Sequence, residues 1–499
     1  MSATREDAAL RRRINAWCMY DWANSAFATT IMAAVLPVYY SAVAAATLPS
    51  EAVATAYWSL GLSISLAIVA VLSPILGTVS DVVQNKKRFL AFFAIVGILG
   101  TALMVLVDEG DWLLASILFV FARIGFTGAN VFYDALLPHV APDDQRDWVS
   151  TRGYAMGYLG GGILLAINTV MIATLPGTWG PRLSFLSVAI WWAVFSIPIF
   201  TRVPEPPSAT AKLKPGAGVI KVSFQRLWEV FRDLRRYKEL FKYLVAFLIY
   251  NDAIGTIIGI ASIYGAELGF DSVQLVMALL LVQFVGVPFS LIFGRLPSSD
   301  DNRRPYYLAF VVFNLVALPV IGAAGSRLWG EVSVLQILGT LAMVELASLV
   351  FAIALGKPLL GRLASRLDTR GSIILALVVY AVIAVWGYFL HSVLEFWLLA
   401  WMVAMVQGGS QALSRSLYAS LSPKAKSGEF FGLFSVMEKF SAILGPLLFA
   451  AAVGIFGNSR PAILSLIVFF FVGIVILRTV NIEEGIRVAR EEDARAGLV

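Results

Sequence analysis

Arg123–Ala166, RIGFTGANVFYDALLPHVAPDDQRDWVSTRGYAMGYLGGGILLA, and Gly408–Ala451, GGSQALSRSLYASLSPKAKSGEFFGLFSVMEKFSAILGPLLFAA, align without a gap at one fixed offset. Tyr133 falls on Tyr418, Leu136 on Leu421, Pro138 on Pro423, Ser150 on Ser435, and Leu159-Gly160 on Leu444-Gly445. Each copy reads as an apolar helix ending at a proline, a short polar loop and a second apolar helix. A parallel repeat of this kind describes two halves facing each other across a membrane.

Working outward, 59% of the residues are hydrophobic and 14% charged, with a mean hydropathy of +0.81. That balance excludes a soluble domain. Runs of roughly 20 apolar residues, the length that crosses a bilayer, lie near 17–43, 56–80, 89–107, 112–137, 153–175 and 183–201. Eight more lie near 243–266, 272–296, 305–325, 333–356, 372–391, 396–421, 430–456 and 461–478. The expected fold is an all-α polytopic membrane protein of 14 transmembrane helices. Its domains are an N-terminal six-helix half at 1–203, a cytoplasmic linker at 204–242, a C-terminal half at 243–479 and a cytoplasmic tail at 480–499.

Lys and Arg are retained on the cytoplasmic side of spans. With both termini inside, only Arg182, Arg327 and Arg460 fall in outward loops, and only Arg123, Arg415 and Lys439 within spans. Both termini are therefore expected to be cytoplasmic; the expected location is the plasma (inner) membrane, or the vacuolar membrane in a eukaryote. The net charge of +6 serves orientation, and no nucleic-acid partner is expected. Met1 to Arg13 is charged and the first apolar run is long, so the first span is expected to stay and act as its own insertion signal. One cysteine, Cys18, and two distant histidines, His139 and His391, suggest neither a disulfide nor a metal site, and no cofactor is expected. No Gly-rich nucleotide loop appears, so uphill movement would draw on an ion gradient. In the linker, apolar Leu227, Val230, Phe231, Leu234, Leu240 and Phe241 recur at helical spacing opposite Arg226, Arg232, Arg235, Arg236 and Lys238. That pattern suits a helix on the inner leaflet, or equally one packed on the protein in water.

Polar groups inside spans carry the functional signal, because an ionisable side chain at membrane depth costs several kcal/mol unless it faces a cavity or a partner. The first span holds Asp21, Asn24 and Ser25 on one face, and the fourth holds Arg123, Thr127, Asn130 and Asp134 in a stripe. The seventh has Asn251, Asp252 and Thr256; the twelfth has Gln407, Gln411, Ser414, Arg415 and Tyr418. The expected pathway lies between these four spans near the midplane, with Asp21, Asn24, Arg123, Asn130, Asn251, Asp252 and Arg415 in it and Asp134 and Gln411 beside it. Groups of both signs suit a small zwitterion, whose ends each find an opposite charge. Asp21 or Asp252 can serve as the proton carrier.

These residues also carry a resemblance. Gly77-Thr-Val-Ser-Asp81 followed by Lys86, Lys87 and Arg88 resembles the loop between helices 2 and 3 of the major facilitator superfamily. Arg123 before Gly128 is similar to its helix 4 arginine motif, and Gly153, Gly157, Gly160, Gly161 and Gly162 to its glycine-rich helix 5, with Tyr158 where a proline is usual. Tyr20-Asp-Trp-Ala-Asn-Ser-Ala-Phe27, Phe132-Tyr-Asp-Ala-Leu-Leu-Pro138, Gln411-Ala-Leu-Ser-Arg-Ser-Leu417 and Leu444-Gly-Pro446 resemble the branch whose fungal relatives are vacuolar amino-acid effluxers linked to autophagy. The resemblance implies a major facilitator fold and a secondary carrier of a small polar solute, proton-linked or facilitative, with Gly77, Asp81, Lys86, Lys87 and Arg88 as a gating loop.

The superfamily has twelve helices, so the pair at 305–325 and 333–356 reads as an insert. Gly-Arg-Leu occurs at both of its edges, at Gly294 and Gly361, giving two candidates for the cytoplasmic end of helix 8. On the second, the counterpart of the Asp81 loop is Gly361 to Arg370, with Ser365 in the carboxylate's place. Glu345, mid-span in the insert, is a partner for a core helix or an oligomer contact. Glycines 153, 157 and 161 are expected to serve close packing. The other functional class to weigh is a non-transporting receptor or scaffold on the same framework; an enzyme lacks any nucleophile, base and orienter set.

Overall fold

The computed structural model describes residues 2–498 apart from 84, 207–235, 299–300, 330–331, 441–444, 446–447, 450, 452–454 and 457–458. The expected amphipathic linker helix lies almost wholly within 207–235, outside the described residues. The spanning helices are α1 (Ser2–Ala26), α2 (Glu51–Val83), α3 (Lys86–Leu103), α4 (Trp112–Ala135), α5 (Arg146–Thr174), α6 (Trp179–Arg202), α7 (Lys238–Glu267), α8 (Ser272–Arg295), α9 (Arg304–Leu328), α10 (Val334–Ala364), α11 (Thr369–Tyr388), α12 (Val393–Leu421), α13 (Ser427–Phe440) and α14 (Ser459–Arg478). A tail helix α15 follows (Ile482–Arg495). Among the described residues thirteen helices are long and apolar enough to cross a membrane. Of the expected fourteenth, near 430–456, the described part is α13, and much of the rest lies outside the described residues.

A backbone in hydrocarbon must satisfy its own polar groups, and helices do so. Local chemistry fixes their ends. Ser333 and Ser392 start α10 and α12 with reciprocal capping boxes to Gln336 and Glu395, and Asp368 caps α11 through the Gly371 N–H at 2.6 Å. Pro138 stands in the short helix Leu137–Val140 that turns the chain after α4. Beyond Ala26, the helical path of α1 continues through π-helical turns at Phe27–Val35 and Tyr40–Ala44.

Small residues set how closely the helices approach, since lipid supplies no hydrophobic drive between them. A Cβ on Gly125 would lie 2.2 Å from the Gly97 backbone nitrogen, so α3 and α4 touch main chain to main chain. In α5, Gly153, Gly157, Gly160 and Gly161 leave room for Asp21, Ser25, the Trp22 carbonyl and Thr29 of α1.

Two bundles result, α1–α6 and α7–α14, meeting along two seams, α2 against α13 and α5 against α8, with α5 also against α12. This is the major facilitator arrangement of two pseudo-symmetric halves. The inserted α9 and α10 pack on each other and on α12 at the rim. The two Gly-Arg-Leu candidates are separated by packing: a Cβ on Gly294 would meet Thr151 Oγ1 of α5 at 1.9 Å, mirroring Gly77 of α2 against the Gly428 carbonyl of α13 at 2.2 Å, whereas Gly361 has nothing within 4 Å. The end of α8 is thus at Gly294, and the reading of Gly361 to Arg370 as a whole counterpart is corrected; only its last residues reach the other half. Arg304 closes the insert, its Nε donating to the Leu296 carbonyl at 2.7 Å and its other arm to that of Leu367.

Helix α15 docks across the end of the bundle that carries the termini. Asp493 accepts from the Ala425 N–H at 2.8 Å, and Glu492 pairs with Lys426 at 2.8 Å and with Arg236. Burial alone would raise the Glu492 carboxyl, but the Lys426 and Arg236 cations together hold it below the usual carboxylate range.

Two outcomes follow. Gly125→Ala should cost about 1–3 kcal/mol by overpacking, read as a lower melting temperature in detergent, while Gly255→Ala, with open space around it, should not. Because the folded Glu492 pKa is depressed, its contribution is present above the unfolded value and is lost as pH falls through the folded one. Tail docking, followed by proteolysis after α14, should therefore weaken on acidification, and Glu492→Gln should flatten that dependence.

Candidate functional site: an ion cluster across the two halves

Arg415 projects from the last turns of α12 into the other half. Its Nη1 donates to Asp134 Oδ1 of α4 at 3.0 Å, its Nη2 to Asp21 Oδ2 of α1 at 3.4 Å and to the Ser150 carbonyl of α5 at 3.0 Å, and its Nε to Ser150 Oγ at 3.0 Å. Only 4% of Arg415 is exposed. Three rings surround the guanidinium carbon: Tyr154 at 4.6 Å, Trp17 at 4.9 Å and Tyr133 at 5.6 Å from their centroids. A desolvated guanidinium is stable only when its fork of donors is filled, and here ion pairs, neutral acceptors and π faces fill it.

The carboxylates are positioned in turn. The Tyr133 hydroxyl donates to Asp21 Oδ2 at 2.7 Å, while Trp17 stacks on the Tyr133 ring and donates to its carbonyl at 3.1 Å. Gly153 makes the space: a Cβ there would sit 2.4 Å from Asp21 Oδ2 and 3.2 Å from Arg415 Nη2. One turn beyond, Asn24 Nδ2 donates to Asn130 Oδ1 at 2.6 Å, joining α1 to α4.

The structure therefore brings together Asp21, Asp134 and Arg415, with the Asn24–Asn130 pair beside them. Gln411 lies half-buried one turn before Arg415 on α12. Arg123 stands apart: further up α4, it rests over the Phe119 ring at 5.8 Å and makes no ion pair among the described residues. Asp252 is fully buried on α7, where neither carboxylate oxygen has a well-formed hydrogen bond among the described residues, and Asn251 is half-buried next to it. Neither belongs to the Arg415 cluster.

The Asp81 loop closes the α2–α13 seam. Asp81 Oδ1 accepts from the Gly428 N–H at 3.1 Å and Oδ2 from that of Glu429 at 2.7 Å, so a carboxylate faces the positive end of α13, and Lys86 pairs with it from behind. Lys87 instead donates to the Phe200 and Val203 carbonyls at the end of α6, at 2.8 and 2.6 Å, and Arg88 is exposed. His139 Nε2 meets Ser427 Oγ at 3.0 Å across the same seam. On the other seam, Thr369 donates to Asp147 of α5 at 2.6 Å and the Arg295 guanidinium lies 4.1 Å over the Trp148 ring.

Sequence reasoning passed over Trp17, Tyr154, Asp147, Trp148, Thr369 and the Gly428–Glu429 amides as contacts of the site. Tyr133 and Ser150 had a signal, their matches in the repeat, but matching positions read as packing; Tyr418 does pack, donating to the Phe430 carbonyl, while Tyr133 holds Asp21. The backbone donors had none.

A family model described as "Vacuole effluxer Atg22 like" matches residues 46–339 and 332–490. The chain is similar to an uncharacterized MFS-type transporter, YxiO, of Bacillus subtilis, 34% identical over 486 residues covering 96% of this chain and 97% of that one. It is similar to autophagy-related protein 22 of Yarrowia lipolytica, 24% identical with 86% of this chain and 75% of the other covered. Among solved structures it resembles the proton:xylose symporter XylE, with a TM-score of 0.59, 13% identity and coverage of 95% of this chain and 96% of that one.

Removing the shared cation tests the cluster. Arg415→Gln strands two buried carboxylates and should cost about 3–5 kcal/mol, seen as a lower melting temperature in detergent. Adding Asp21→Asn and Asp134→Asn to that variant should restore much of the loss, since neither amide needs a counter-ion.

Proposed function

Because the chain belongs to the Atg22-like effluxer family of the major facilitator superfamily, whose members are transporters, we propose that it is a secondary active transporter of a small zwitterionic solute of the amino-acid class, working by alternating access and coupled to protons. The observation that carries this reading is the Arg415 cluster. Two carboxylates share one guanidinium there, leaving one negative charge to be neutralised by a proton or by the ammonium of a substrate. The substrate carboxylate competes with Asp21 and Asp134 for Arg415, and its ammonium then finds the carboxylates it displaced.

The cluster also bears on gating. Arg415 comes from one half and all its partners from the other, so the halves cannot separate at this end while it is intact. We take this end as cytoplasmic, from the distribution of basic residues, and the chain as closed toward the cytoplasm. Proton or substrate binding at Asp21 and Asp134 weakens the hold on Arg415; the Asp81–α13 contact releases in the same step and biases the equilibrium. Asp252 offers a second carboxyl for proton exchange on the α7 side. Gln411 and Asn130 line the route between the two, with Arg123 and Asn251 further along it.

The test is flux in liposomes of purified protein. Amino-acid counterflow and uptake under an imposed pH gradient should be lost or should lose pH dependence in Asp21→Asn, and fall in Asp252→Asn. Unchanged transport in both variants would remove the proposed roles, and absence of flux for every amino acid with wild-type protein would remove the substrate class.

A further inference from the structure

Outside this pathway, the inserted helices hold a carboxyl with too few hydrogens around it. Glu345 lies about a third of the way along α10, roughly 16 Å from its capped start at 1.5 Å per residue, and so at hydrocarbon depth. On the same helix Met343, Leu346 and Val350 are between 59% and 67% exposed and face lipid. Glu345 itself turns the other way, toward α9 and α12.

The hydrogen-bond accounting is short. Asn314 of α9, fully buried, directs its Nδ2 at Glu345 Oε2 (3.3 Å), Ser348 Oγ (3.0 Å) and the Phe310 carbonyl (3.1 Å), three acceptors for two hydrogens. The Ser348 hydroxyl hydrogen goes to the Phe310 carbonyl at 3.1 Å. Among the described residues Glu345 Oε1 and Asn314 Oδ1 are buried without a well-formed hydrogen bond, and the Trp401 indole of α12, which reaches the same carboxyl, makes none of good geometry either. No cation compensates among the described residues. Of the charged residues on the helices packed here, Arg304, Arg327, Lys357, Arg362, Arg295 and Glu395 sit toward helix ends, and Arg415 is held by Asp21 and Asp134. Glu345 forms no ion pair among the described residues.

We propose that Glu345 is a proton-binding site in the inserted pair, separate from the substrate route, whose occupancy holds α10 against α9 and α12. A proton supplies the missing donor and removes a charge that the site cannot solvate. The carboxylate form leaves the insert's contact with α12 weakened, so the site links proton concentration to the docking of the pair on the helix that carries Arg415.

A hydrophobic carbodiimide reads this directly, because it dissolves in lipid and reacts with the protonated acid. The carboxyl oxygen bonds to the central carbodiimide carbon, its proton passes to a carbodiimide nitrogen, and rearrangement leaves an N-acylurea that adds the whole reagent mass. In liposomes at neutral pH, dicyclohexylcarbodiimide should modify the peptide containing Glu345, with labelling falling as pH rises and disappearing in Glu345→Gln. The same variant, a neutral mimic, should melt within a few degrees of wild type and lose the alkaline decline in melting temperature. An unlabelled Glu345, or a Glu345→Gln protein that melts far lower with its pH profile unchanged, would overturn the proposal.

Discussion

The contact between the two halves around α12 depends on one desolvated guanidinium being shared. Arg415 gives its donors to two carboxylates and to both oxygens of Ser150, and it is walled by three aromatic rings. A charge so placed is tolerated only while every partner stays within hydrogen-bonding distance. The demands on the surrounding residues follow from that: Gly153 has no side chain because Asp21 occupies the volume, and Tyr133 is stacked on Trp17 because its hydroxyl must point one way. The arrangement is stable when complete and poorly stable when one partner is removed.

The seams repeat this logic in cheaper materials. On α2–α13 a carboxylate meets backbone amides at a helix start, with glycine on both sides so that main chains touch. On α5–α8 the same close glycine contact is made by Gly294, but the polar part has passed to Thr369 and Asp147, and the cation to Arg295 on Trp148. The carboxylate has changed sides of the seam. Ser365 was thus a poor guide to whether the second half closes, since the closing groups lie elsewhere.

Fold and site were legible in the sequence to different depths. Spans announce themselves through apolar length, and the repeat through Tyr133 on Tyr418 and Pro138 on Pro423, because each is local or fixed in spacing. Asp21, Asp134 and Arg415 stood out since charge at membrane depth needs a reason. Which of the polar residues meet was not readable: Arg123 lies in the same stripe as Asp134 yet lies apart over Phe119, because helical spacing gives a face and not a depth. Gly428 and Glu429 act through backbone N–H groups, which every residue but proline has, so no residue type marks them. The choice between Gly294 and Gly361 turned on what a missing side chain makes room for, a property of the neighbour.

Arg304 has a consequence beyond closing a loop. By holding the carbonyls of Leu296 and Leu367 with one side chain at the start of α9, it fixes the exit of α8 beside the entry of α11. The inserted pair is thus tied at its base as well as along α12, on which it packs. The closure cost of the chain between Arg304 and Leu367 is met locally and grows only slowly with length, so that chain can change length without moving the helices that carry Arg415 and its partners. The surface that α9 and α10 turn outward from the bundle can change in this way while the Arg415 cluster keeps its place.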